Sequence, residues 1–152
     1  AGADPNVVIP EGVANLITIV NRLKARGAEN IAVVNLPDIG LTPRAKLAGA
    51  GPAATYLSAL FNQLLTGALN SLPYPTVRVD LFALINAFVA NPAAFGFTDV
   101  STPALYLYPA SSDTYLFWDD VHPTTRAHRF VSETVFKSLA DAGLMKQLLK
   151  HP

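Results

Sequence analysis

The chain contains no cysteine, which excludes disulfides, thiolate metal ligands and a cysteine nucleophile, and leaves the redox compartment open. It is also poor in charge: 14% of its 152 residues are charged, and 11 basic residues balance 11 acidic ones. No net field draws such a chain to nucleic acid or to an anionic membrane surface, so neither is an expected partner. A long uninterrupted hydrophobic run is missing as well. The longest charge-free stretch, residues 47–77, is broken by glycines, by Asn62 and Asn70, and by Pro52, Pro73 and Pro75, so no membrane span is expected. Methionine is nearly absent: Met145 is the only one, and residue 1 is alanine. The chain is therefore expected to be a product of processing or cleavage, with any targeting segment removed or lying outside it.

What is present is apolar side chain, 51% of all residues, in a chain long enough for one domain with a real core. After a turn-like "AGADPN", Val13, Leu16, Ile17, Val20 and Leu23 recur at helical spacing until Gly27, which predicts an amphipathic helix with a glycine stop. "NIAVVNL", residues 30–36, reads as a strand covered on both faces, and "PDIGLTP" as a loop. Residues 53–72 carry a stripe from Leu57 to Leu69, a second helix ended by Pro73 and Pro75. "TVRVDL" reads as a second strand and "FALINAFVAN" as a third helix stopped by Pro92. The segment from Pro92 to Tyr115 has no clear period and is predicted to be a long loop with local turns. A last helix opens just after His122, capped by Thr124 or Thr125, with Ala127, Phe130, Val131, Val135 and Leu139 on its buried side; Gly143 precedes a short tail helix.

This order is that of an α/β protein with a parallel sheet and right-handed crossovers. Only two strands are legible, however, and two parallel strands between helices leave an apolar sheet edge unpaired, which a soluble domain avoids. Strands are therefore expected to be missing, and this chain to be the later part of a larger sheet. The leucine-rich, charge-free region suits a lipid contact or, equally well, a buried helix face, and it also suits docking against absent strands.

The densest chemistry is "YLFWDDVHPTTRAH", residues 115–128. Asp119 stands three residues before His122, a separation that lets a tight turn bring its carboxylate to Nδ1 of the ring and leave Nε2 outward. A base acting on a serine hydroxyl needs such an arrangement, because the acid fixes the tautomer and stabilises the imidazolium. In open α/β sheets, ligands gather beyond the carboxyl ends of the strands, where this loop is expected. Taken alone, a D-x-x-H is more often a helix cap beside a surface histidine.

The whole block, with Phe117, Trp118, Pro123, Thr124 and His128, resembles the last block of the GDSL, or SGNH, hydrolases, a family of esterases, lipases and acyl hydrolases. "GAENIAVVNLPDIGLTP" and "ATYLSALFNQLL" resemble that family's fourth strand with its loop and the helix after it. The resemblance implies a three-layer α/β/α, flavodoxin-like sheet and a Ser-His-Asp triad in which His122 is the general base and Asp119 its orienting partner. It also implies an ester or lipid substrate, no cofactor, and a secreted or cell-surface setting. Asp120 falls at a variable position and is expected to be solvated; Phe117 and Trp118 are expected to pack and position the turn.

The family's nucleophile and oxyanion donors lie in blocks that this sequence does not contain, and "AGADPN" resembles only the segment just after one of them, so Asn6 is not expected to be an oxyanion donor. They are expected upstream of residue 1, on a companion chain or segment, so the resemblance makes residues 1–152 the carboxyl-terminal half of a single SGNH-hydrolase-like domain, nearly inactive alone. Local serines are poor substitutes: Ser111 and Ser112 lack the strand, sharp turn and helix that expose a nucleophile, and Ser58, Ser132 and Ser138 lie on predicted helices. A metal site at His122 lacks spaced partners, since His128 and His151 are the only other histidines. His128 is expected to be a partly buried helix residue, His151 to be idle, and Asp38, Asp80 and Asp99 to lie in loops or at strand ends, Asp80 where a sheet end could face a cleft. The alternative functional class is a non-catalytic module that retains a hydrolase-like core.

Overall fold

A helix begins at the chain's first proline, because Asp4 accepts a hydrogen bond from the Asn6 amide at 2.9 Å and Pro5 needs no donor partner in the first turn. The computed structural model describes residues 3–107 and 112–144. Helix α1, Pro5–Ala25, thus starts well before the periodic residues that announce it, taking in part of the expected turn and tolerating Pro10 inside. Gly27, at φ 94°, ends it as expected.

Strand β1, Ala32–Val34, pairs in parallel with β2, Val77–Val79, in the register Val33 opposite Arg78. The parallel sheet agrees with the sequence, but both strands are shorter than 30–36 and 76–81. Their ends are diverted to cap a helix. Asn35 donates to Asp80 at 2.7 Å and accepts from the Leu81 and Phe82 amides, while Asp80 accepts from the Ala83 amide. Asp80 is accordingly the N-cap of helix α2, Leu81–Ala90.

One core, built from Val13, Val20, Ile31, Val33, Leu65 and Leu69, lies where α1, β1 and helix α3 meet; α3 spans Gly51–Asn70, offset from the expected 53–72. The expectation that β1 is covered on both faces is corrected. Val33 is buried, whereas its neighbours Ala32 and Val34 are exposed, Val34 by 44%, since alternate strand residues point to opposite faces and no described element covers the second face of β1.

Between β1 and α3 the chain makes a 3-10 turn, Ile39–Leu41, and a short helix α4, Pro43–Leu47. Asp38, 2% exposed, anchors this loop by accepting from the Gly40 amide, the Thr55 hydroxyl and the Asn86 side chain. Gly40 sits so close to α3 that a Cβ there would collide with Thr55 and the Gly51 carbonyl.

The expected loop from Pro92 to Tyr115 contains 3-10 turns at Pro92–Phe95, Ala104–Leu107 and Ser112–Thr114. It also supplies Phe97 to a second core with Ile85, Phe88, Leu116, Phe117 and Ala127. Phe88 is the centre, fully buried, with the rings of Phe95 and Phe97 edge-on at 4.8 and 5.1 Å. The last helix, α5, Thr125–Asp141, packs against β2 and α2. Of its expected stripe only Ala127 is fully buried; Phe130, Val131, Val135 and Leu139 are half-buried and Phe136 is 58% exposed, because little described chain covers its distal turns. The expected tail helix and His151 lie outside the described residues, as does Ser111.

Candidate active site

Residues 116–124 form a narrow antiparallel hairpin. Phe117 bridges Pro123, the Trp118 amide donates to the His122 carbonyl at 2.8 Å, and the Thr124 amide to the Leu116 carbonyl at 2.9 Å. Directly opposed residues of such a ladder share a face. Leu116 and Phe117 are buried in the second core, at 0% and 2% exposure, whereas Trp118 is 43% exposed and the His122 side chain 74%.

The loop of this hairpin, residues 119–121, is organised by one carboxylate. Oδ1 of Asp119 accepts from the Val121 and His122 amides at 2.9 and 2.7 Å, and Nδ1 of His122 lies 3.0 Å from Oδ1 and 2.8 Å from Oδ2. A carboxylate can only accept, so the neutral ring carries its proton on Nδ1 and its lone pair on Nε2. The His122 side chain is 74% exposed and that of Asp119 32%. Hydrogen bonds from the His122 and Val121 amides, then from the ring, hold the Asp119 carboxyl down at about 2, below its usual 3.8.

Three neighbours hold the hairpin in place. Thr124, 3% exposed, is the N-cap of α5: its hydroxyl accepts from the Ala127 amide and donates to the Tyr115 carbonyl at 2.7 Å. The 3-10 turn Ala104–Leu107 has free leading amides, as any helix start does, and the carbonyls of Phe117 and Trp118 accept from Ala104 and Leu105 at 3.0 and 2.9 Å. Asp120 joins two further segments: its carbonyl accepts from the Arg44 amide at the start of α4, and its carboxylate from the Tyr106 hydroxyl at 3.2 Å. The Asp120 charge, with some loss of water and the hydrogen bond, raises the Tyr106 phenol above its ordinary value.

The expected pair, Asp119 and His122, is thus within hydrogen-bonding distance. Two expectations about its immediate neighbours change. Asp120 is partly buried and bonded rather than simply solvated, and Trp118 is 43% exposed rather than packed, while Phe117 is buried as expected. The roles of Asp120, Tyr106 and Arg44 were not legible, since nothing local in the sequence marks contacts between segments so far apart.

No described serine is hydrogen-bonded to His122. Ser58, Ser132 and Ser138 give their hydroxyls to helix carbonyls of Ala54, Arg129 and Thr134, and Ser112 opens a 3-10 turn. His128 is exposed rather than partly buried; its Nδ1 lies 3.1 Å from the Thr124 carbonyl. Asp99 lies in a loop, accepting from the Ser101 and Thr102 amides. Among the described residues no group of three His, Cys, Asp or Glu could hold a metal ion, and no helix is long and apolar enough to cross a membrane.

Comparison with known proteins adds a family. The model of the GDSL-like Lipase/Acylhydrolase family matches residues 4–135. The chain is similar to the anther-specific proline-rich protein APG of Arabidopsis thaliana, 32% identical over 143 residues that cover 79% of this chain and 27% of that protein. It is 29% identical to a phosphatidylcholine-sterol acyltransferase of Aeromonas hydrophila, covering 74% of this chain and 49% of that one. A GDSL esterase/lipase APG of Arabidopsis thaliana is 28% identical, with 79% and 42% covered. The chain therefore spans between 27% and 49% of the length of these relatives.

Proposed function

The chain belongs to the GDSL-like lipase and acylhydrolase family, and we propose that it is the carboxyl-terminal half of a serine ester hydrolase domain, to which it contributes the histidine and aspartate of a Ser-His-Asp triad. The observation that carries this is the 2.8 Å approach of Asp119 to Nδ1 of a ring that is 74% exposed, a base oriented on one side and open on the other.

His122 would take the proton of a serine hydroxyl on Nε2 as that oxygen attacks an ester carbonyl. It would pass the proton to the departing alcohol, then draw one from water as water attacks the acyl-enzyme, and return it to the serine. Asp119 holds the ring and stabilises the imidazolium between these transfers. The serine and the oxyanion donors come from chain on the amino-terminal side, as do the first strands of a three-layer α/β/α sheet. Support for this comes from the sequence, which lacks a G-D-S block, from the open face of β1, and from the greater length of the relatives. The substrate is a carboxylic ester or lipid, and the complete protein is secreted or displayed on the cell surface, both on the strength of the family alone.

Residues 1–152 alone should leave a p-nitrophenyl ester nearly untouched, and mixing with the amino-terminal half should restore turnover. In the restored protein His122→Ala should lower kcat by about 10⁴-fold or more, and Asp119→Asn by about 10³- to 10⁴-fold. Burst hydrolysis by the isolated chain, or restored turnover indifferent to His122→Ala, would overturn the proposal.

A further inference from the structure

The described chain exposes several large apolar side chains, and two of them, Trp118 and Leu105, stand on backbone that is hydrogen-bonded in series to His122. Trp118 is opposite His122 in the hairpin, its amide bonded to the His122 carbonyl at 2.8 Å, and the Leu105 amide is bonded to the Trp118 carbonyl at 2.9 Å. Leu105 is 44% exposed and Trp118 43%. The turn that carries Leu105 is clamped to the hairpin twice over, through the Phe117 and Trp118 carbonyls and through Tyr106 on Asp120. A fixed apolar surface beside a reactive group is the usual make-up of a small-molecule site.

We infer that Trp118 and Leu105 form the surface on which the hydrocarbon arm of the leaving alcohol rests, so that they set the enzyme's preference for alcohol chain length. This rests on the hydrolase reading above. The alcohol arm, rather than the acyl arm, follows from proton transfer: Nε2 of His122 must reach the departing oxygen, so whatever that oxygen carries lies next to the ring and its cross-strand neighbour. A protein segment seated over Trp118 would also shut off His122, which disfavours the amino-terminal half as the occupant.

Trp118 is the only tryptophan in the chain, so its fluorescence reads the surface directly and without turnover. Residues 1–152 should be titrated with 1-butanol, 1-hexanol and 1-octanol. The expected result is a saturable blue shift whose half-saturating concentration falls about threefold for every two methylenes, a part-buried share of the full burial value. Leu105→Ala should weaken 1-octanol binding about threefold, Leu105→Met should retain it, and His122→Ala should leave it in place.

A shift that is absent, is independent of chain length, or is unchanged by Leu105→Ala overturns the inference. So does loss of alcohol binding when the amino-terminal half is added, which would put that half on the surface. Hydrolysis of p-nitrophenyl acetate by the reconstituted protein separates the two claims. His122-dependent turnover without length-dependent alcohol binding overturns the alcohol surface alone. Alcohol binding with no turnover overturns the hydrolase reading, and with it the assignment of the bound arm.

Discussion

Asp119 accepts from two backbone amides and from the ring of His122, so its charge organises the hairpin before any substrate arrives. Folding lowers its carboxyl to about 2 from an ordinary 3.8, which means that the folded turn favours the ionised form. The stabilisation is complete above the ordinary carboxylate value and is lost as the pH falls from there through about 2. Carboxyl ¹³C NMR of Asp119 should give a midpoint near 2, and the Val121 and His122 amide shifts should move with it; a midpoint at the ordinary value would mean that the bonds are not held in solution. The pairing of Asp119 with His122 was legible because it is local, three residues along one turn. The exposure of Trp118 was not: burial is the general habit of an aromatic, and nothing local in the sequence shows that Phe117 is buried while Trp118 is 43% exposed.

At the scale of elements, two side chains carry more than their size suggests. Thr124 is buried, caps α5 and ties it to the Tyr115 carbonyl. Thr124→Val keeps the shape but leaves a donor and an acceptor unpaired, so it should destabilise the chain by about 2 kcal/mol, seen as a lower midpoint in urea with an unchanged slope. Gly40→Ala drives a methyl group into Thr55 and the Gly51 carbonyl, and should cost a similar ~2 kcal/mol by overpacking; a midpoint equal to that of the parent would mean that the β1–α3 loop gives way freely. Helices were the most legible elements, since the spacing of Val13, Val20, Leu65 and Leu69 maps onto a core that exists. Their ends and the strands were less so. Asp80 and Leu81 continue an apolar alternating pattern but are recruited as cap and first turn of α2 by Asn35, a partner 45 residues from Asp80 that no local window contains. Likewise, Phe97 comes from a segment without period and yet packs on Phe88, because a core accepts any side chain of suitable size that topology delivers.

For the molecule as a whole, the two cores differ in what they complete. The core around Phe88 closes beneath the hairpin, whereas the sheet keeps an open face at Val34, 44% exposed, with Phe136 58% exposed on α5. The isolated chain should therefore bind an apolar reporter dye and, on the proposed reading, lose most of that signal when the proposed amino-terminal half is added; an equal signal before and after would argue that the open face is not where the proposed halves meet. The hairpin has one more consequence. The acid and base are joined by a loop of two residues, Asp120 and Val121, so bringing them together sacrifices very little chain freedom. On the proposed triad, a distant serine contributes nothing to their alignment. If the proposed halves associate, one rigid unit is placed instead of two loose groups gathered, and an imperfect join would shift the proposed proton acceptor as a body while its tautomer stays set.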